Sequence, residues 1–115
     1  MNKQIFLAGV LLGVSSIAFA HAKLQSAEPK VDSIVETAPK SIHLSFNTAL
    51  EPAFSKIELI DAQNVAVELP KTEVGTDNSM RAGLPALKAG EYHVKWSTMT
   101  RDGHKVKGQY KFSVK

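Results

Sequence analysis

The sequence has no cysteine. That removes disulfides, thiolate metal sites, thiol redox pairs and cysteine nucleophiles together. The fold has to be held by packing alone. Also missing are a Gly-x-Ser-x-Gly elbow, a glycine-rich phosphate loop and a His-Glu-x-x-His helix, so the common hydrolase, nucleotide and metalloprotease signatures are excluded. The eleven acidic residues are scattered and offer no recognisable catalytic pair. No basic run interleaved with aromatics occurs, which argues against a nucleic-acid footprint. Helical periodicity is absent beyond residue 20, as are internal repeats and low-complexity segments.

There is one long hydrophobic run, at the start. Lys3 forms a short positive region, Ile5 to Ile17 carries no charge, and Ala18-Phe19-Ala20 has the small-x-small spacing of a cleavage signal. The run falls short of the ~20 apolar residues that a bilayer span favours, so an export leader is favoured over an anchor. Residues 1–20 are therefore expected to be a signal peptide cleaved after Ala20. Residues 21–115 then form one domain, starting at His21, in the periplasm. Losing Lys3, the only charge in the leader, lowers the formal net charge one unit below the +3 of the full sequence.

The rest of the chain reads as short strands. Alternation over Ser41–Phe46 puts Ile42, Leu44 and Phe46 on one face, and over Glu91–Met99 it turns Tyr92, Val94, Trp96 and Thr98 inward. Val106–Val114 repeats the pattern with Tyr110, Phe112 and Val114. Gly108 inside that strand predicts a bulge or a close backbone approach. Further strands are expected over His21–Ala27 with Leu24 as the inward anchor, Phe54–Ile60, Val65–Leu69 and Met80–Leu84. Val31, Ile34 and Val35 are expected to plug the core from a polar loop at 30–39. About seven short strands separated by turn signals predict an all-β, Ig-like Greek-key sandwich or barrel.

Three residues stand out chemically. A histidine at a free N-terminus offers its amine and its ring Nδ1 to one metal, so His21 becomes a chelator once the leader is removed. Asp102 and His104, two apart on an extended segment, would point to one side, and Gly103 between them permits tight geometry. Two imidazoles, an amine and a carboxylate suit a divalent transition metal, Cu(II) above all in affinity and geometry. Read alone, the spacing of Asp102-Gly103-His104 favours an ordinary turn followed by a solvated histidine. His43 and His93 lie in the polar phase of their strands and are read as solvent-facing. Met80 and Met99 are too isolated for a thioether Cu(I) site.

Taken together, the chain resembles the CopC family of periplasmic copper-resistance proteins. The resemblance rests on His21-Ala22-Lys23-Leu24 at the mature start, Glu28-Pro29, and Ile42-His43-Leu44-Ser45-Phe46. It continues through Gly90-Glu91-Tyr92-His93-Val94-Lys95-Trp96 and Asp102-Gly103-His104 to Gly108 and Tyr110-Lys111-Phe112-Ser113-Val114. It implies a Cu(II) site of His21, Asp102 and His104, no enzymatic activity, and copper sequestration or handover. An inner-membrane copper transporter of the CopD type is the implied partner, with the protein itself a monomer. Some members place a further acidic ligand where this chain has Asn47-Thr48; Glu51 lies nearby but out of register. The methionine-rich Cu(I) loop of other members is missing. An N-terminal histidine with a second histidine also occurs in lytic polysaccharide monooxygenases, but the small size, the carboxylate and the lack of an aromatic binding face disfavour that reading. A plain interaction module, with metal binding incidental, is the remaining alternative.

Overall fold

The fold is a computed structural model describing residues 22–115; the leader and His21 lie outside the described residues. Among the described residues, nine strands make two sheets. Four are β1 (Leu24–Glu28), β3 (Ser41–Phe46), β6 (Glu73–Val74) and β7 (Ser79–Gly83), ordered β1-β3-β7-β6. The other five are β2 (Ile34–Val35), β4 (Lys56–Ile60), β5 (Ala66–Val67), β8 (Gly90–Met99) and β9 (Lys105–Val114), ordered β2-β9-β8-β4-β5. All pairings are antiparallel except β2 with β9. The only helical element among the described residues is a 3-10 turn at Pro52–Phe54. The all-β sandwich expected from the alternation is what forms.

The core follows the period-2 pattern. Ile42, Leu44 and Phe46 of β3 are buried, and so are Ile57 and Leu59 of β4. Tyr92, Val94, Trp96 and Thr98 of β8 meet Tyr110, Phe112 and Val114 of β9 on the same inner face. Phe46 and Trp96 join the two sheets edge to face, with ring centroids 5.0 Å apart. Such pairs add to simple area burial because the ring edge faces the electron-rich ring surface. The Tyr110 hydroxyl donates to the Pro29 carbonyl at 2.8 Å and so anchors β9 to the loop after β1. Burial, and then the Glu28 charge, push its pKa above the ordinary phenol value.

Several expectations are corrected. Val31 and Ile34 are 50% and 70% exposed, so only Val35 packs against the core. Ile34 and Val35 instead hydrogen-bond beside the end of β9. Phe54 sits in the 3-10 turn and is 56% exposed, because Pro52 starts a turn there before β4 begins at Lys56. The first strand starts at Leu24, which packs half-buried against the core as expected, but Ala22 and Ala27 are the fully buried residues of this segment. A register shift between Leu24 and Ser26 accounts for the changed phase. The two-residue strand β6 had no recognisable pattern.

Gly108 resolves to a close approach. The β8–β9 register runs unbroken through the Trp96–Gly108 pair, so there is no bulge. A Cβ at position 108 would lie 2.5 Å from Cζ2 of Trp96. The indole occupies the space a side chain would need. Gly108→Ala is therefore expected to cost about 1–3 kcal/mol through overpacking. For a domain this small that is a fall in Tm of at least ~4 °C, read by circular dichroism. An unchanged Tm would mean that Trp96 does not press on this strand.

Candidate metal centre

The β8–β9 hairpin closes with a loop from Thr100 to His104. The Thr100 N–H donates to the His104 carbonyl, and the Gly103 N–H to the Thr100 carbonyl, both at 2.9 Å. Gly103 has φ +91°, a conformation that glycine adopts with little strain. The loop is thus a tight turn and not the extended segment that the i, i+2 spacing suggested. The turn still brings the two side chains together, with Nδ1 of His104 3.1 Å from Oδ1 of Asp102. Both are largely exposed, at 51% and 67%.

Beneath them is Thr100, which sequence reasoning passed over. It is 4% exposed, continuing the inward phase of Trp96 and Thr98, and that continuation is the signal that could have found it. Its hydroxyl donates to Oδ1 of Asp102 and accepts the His104 backbone N–H at 3.1 Å. The Thr100 hydrogen bond, and after it His104, hold the Asp102 carboxyl below the usual carboxylate range. A lowered native pKa favours folding above the ordinary carboxylate value, and that contribution is lost as pH falls through the lowered one. Asp102 is accordingly an anion across the neutral range.

The loop is tied to the connection between β3 and β4. Leu50 and Thr100 form an isolated antiparallel bridge, and the Glu51 N–H donates to the Met99 carbonyl at 2.8 Å. The Glu51 carboxylate lies 3.5 Å from Nε of Arg101. Glu51 therefore does reach the loop, where it pairs with Arg101, the residue before Asp102.

The same connection holds the beginning of the described chain. Oδ1 of Asn47 accepts the Lys23 N–H at 2.8 Å, and the Asn47 N–H donates to the Lys23 carbonyl at 3.2 Å. Leu24 pairs with Phe46, and Ala22 is buried. Ala22, Asn47, Leu50 and the Thr100–His104 loop thus share one end of the sandwich. His21 itself lies outside the described residues.

The other histidines are elsewhere. His43 is half-buried on the outward phase of β3, opposite Glu28 and Arg81. His93, also half-buried, faces outward on β8 beside Ile60 and Lys111. Met80 is a core residue. Among the described residues, no group of three or more His, Cys, Asp or Glu side chains is placed to hold a metal. Asp102 and His104 are a pair and not by themselves such a group.

Comparison with known proteins agrees with this architecture. The CopC domain family matches residues 24–115. The chain belongs to the CopC family. It is 34% identical to copper resistance protein C of Escherichia coli, over all of this chain and 98% of that protein. The crystal structure of CopC from Methylosinus trichosporium OB3b superposes with a TM-score of 0.77 at 31% identity, covering 82% of this chain and 93% of that one. Copper transport protein CutJ of Bacillus subtilis is 28% identical over 96% of this chain but only 21% of its own length. CopC proteins are copper-resistance proteins and not enzymes.

Proposed function

We propose that this CopC protein is exported, loses residues 1–20, and binds Cu(II) through a centre completed by the new N-terminus. His21 supplies its amine and Nδ1, His104 a ring nitrogen, and Asp102 an oxygen and a negative charge. The observation carrying this reading is that Lys23 is clamped to Asn47 while Leu50 bridges to Thr100. Position 21 is two residues before Lys23, with consecutive Cα atoms about 3.8 Å apart. In this reading the free amine, two residues from the Lys23–Asn47 clamp, reaches the Asp102–His104 pair. Nitrogen donors with one carboxylate match the preferences of Cu(II), which also heads the divalent affinity order. The function is sequestration in the periplasm or handover to an inner-membrane transporter of the CopD type. The presence of a domain of this kind within the much longer CutJ supports a transport partner.

The test is a competition titration of protein spanning residues 21–115 with Cu(II), beside its His104→Ala variant. One tight equivalent is expected for the native chain, with affinity on the order of 100-fold lower in the variant, about 2.7 kcal/mol. Equal affinities would remove His104 from the site.

A further inference from the structure

The outer face of the five-stranded sheet is polarised in charge toward the hairpin loop. Lys95 of β8 and Lys105 and Lys107 of β9 are exposed on its outward phase. Lys56 of β4 joins them, facing Lys107 from the other side of Ser97. With strands about 4.8 Å apart, these two lysines leave the sheet about 10 Å from each other. The one acid in the group is Glu58, 3.4 Å from Lys56. Lys95, Lys105 and Lys107 make no ion pair among the described residues. Four lysines against one glutamate give a local excess as large as the formal +3 of the whole sequence. The other sheet shows no such excess: its outward Glu28–His43–Arg81–Glu73 row carries two carboxylates to one guanidinium.

An apolar group stands at the edge of the same patch. Phe54 is 56% exposed, and with Met99, Lys105 and Lys107 it borders a hollow of about 420 Å³. Pro52 and Ala53 before it are exposed as well. A single exposed ring is ordinary, but a ring set among unpaired lysines is the arrangement of a membrane-surface contact. Ammonium groups there meet lipid phosphates while the ring enters the headgroup layer.

We propose that this face docks on an anionic phospholipid surface, with Phe54 inserted and Lys56, Lys95, Lys105 and Lys107 held against the phosphates. The choice of cation favours lipid over an acidic protein. Lysine is a flexible point charge suited to a diffuse field, whereas the arginine fork suits carboxylates in fixed positions. Both arginines of the chain already pair with its own glutamates, Arg81 with Glu73 and Arg101 with Glu51. The Thr100–His104 loop lies between Met99 and Lys105, so docking sets that loop beside the bilayer. The proposal does not use the copper reading and is tested without metal.

The test is co-sedimentation of metal-free protein spanning residues 21–115 with vesicles. One set is phosphatidylcholine alone; the other is two parts phosphatidylcholine to one part phosphatidylglycerol. Binding is expected on the anionic vesicles alone, falling about tenfold from about 0.01 M to about 0.15 M salt. Lys105→Gln with Lys107→Gln is expected to weaken it about twentyfold, at about fivefold per lysine. Phe54→Ala is expected to weaken it about tenfold. Lys30→Gln with Lys88→Gln removes the same charge from elsewhere on the surface and should stay within about twofold. All these side chains are exposed, so thermal transitions should match. In Phe54→Trp, brominated acyl chains should quench the new indole, while Trp96 of the native protein, 8% exposed, stays bright. Absence of binding to the anionic vesicles overturns the proposal and leaves an acidic protein surface as the fit for this face. Equal binding to both vesicle types overturns it too, as does native affinity in Phe54→Ala. So does a Lys30 and Lys88 double variant as weak as the Lys105 and Lys107 one, which would make net charge the cause.

Discussion

Protein that retains Ala20 ahead of His21 is expected to bind Cu(II) on the order of 100-fold more weakly than protein beginning at His21, about 2.7 kcal/mol of binding free energy. The cause is chemical. A free α-amine near pKa ~7.7–8.0 gives up its proton readily to a metal, whereas an acylated amide nitrogen is a far poorer donor. Extension by one residue leaves the His21 ring intact but takes away the other half of its chelate. Matched thermal transitions for the two proteins should accompany the affinity difference, which separates an effect on binding from one on folding. Equal affinities would mean that the N-terminal amine is not a ligand.

Leu50→Ala is expected to destabilise the domain by about 2–5 kcal/mol, the range for a large aliphatic side chain removed from a core. Leu50 is 1% exposed and among the largest fully buried side chains. For a small domain this is a drop in Tm of roughly 10 °C or more, a large share of a total stability of about 5–15 kcal/mol. The residue is also where the β3–β4 connection bridges to Thr100. Loosening it slackens the anchorage of the Thr100–His104 loop, so on the proposed copper reading Cu(II) affinity should fall in the variant even below its transition temperature. Thermal unfolding by circular dichroism and a titration at low temperature read the two effects separately. A variant with native Tm would show that the connection is not packed as described.

How much of the molecule was legible in the sequence depends on the distance over which each feature is determined. Strands β3, β8 and β9 were legible because one face of each meets the core and the other meets solvent, which writes a period of two into the chain. Strands β2 and β6 are two residues long, too short to write any period, and are defined by the partner they lie against. The proximity of Asp102 to His104 was anticipated, but for the wrong local reason: a turn at Gly103 achieves it, and an extended segment does not. The burial of Thr100 was legible in the inward phase it continues from Trp96 and Thr98, but its partners and those of Asn47 were not. The Asn47 contact spans 24 positions, and the place of Thr100 depends on Leu50 from a distant connection. Non-local pairings of this kind leave no trace in a local pattern.

Whether the two ends of the domain meet at one metal can be read from an NMR map of the amide signals broadened by one equivalent of Cu(II) in protein spanning residues 21–115. Loss of signal is expected at Ala22, Lys23, Asn47 and Thr100–His104. His93 should stay sharp, six residues up β8 from Met99 and so roughly 20 Å away. Broadening centred on His43 or His93, or confined to the hairpin with Ala22 and Lys23 unaffected, would contradict a centre shared by the two ends.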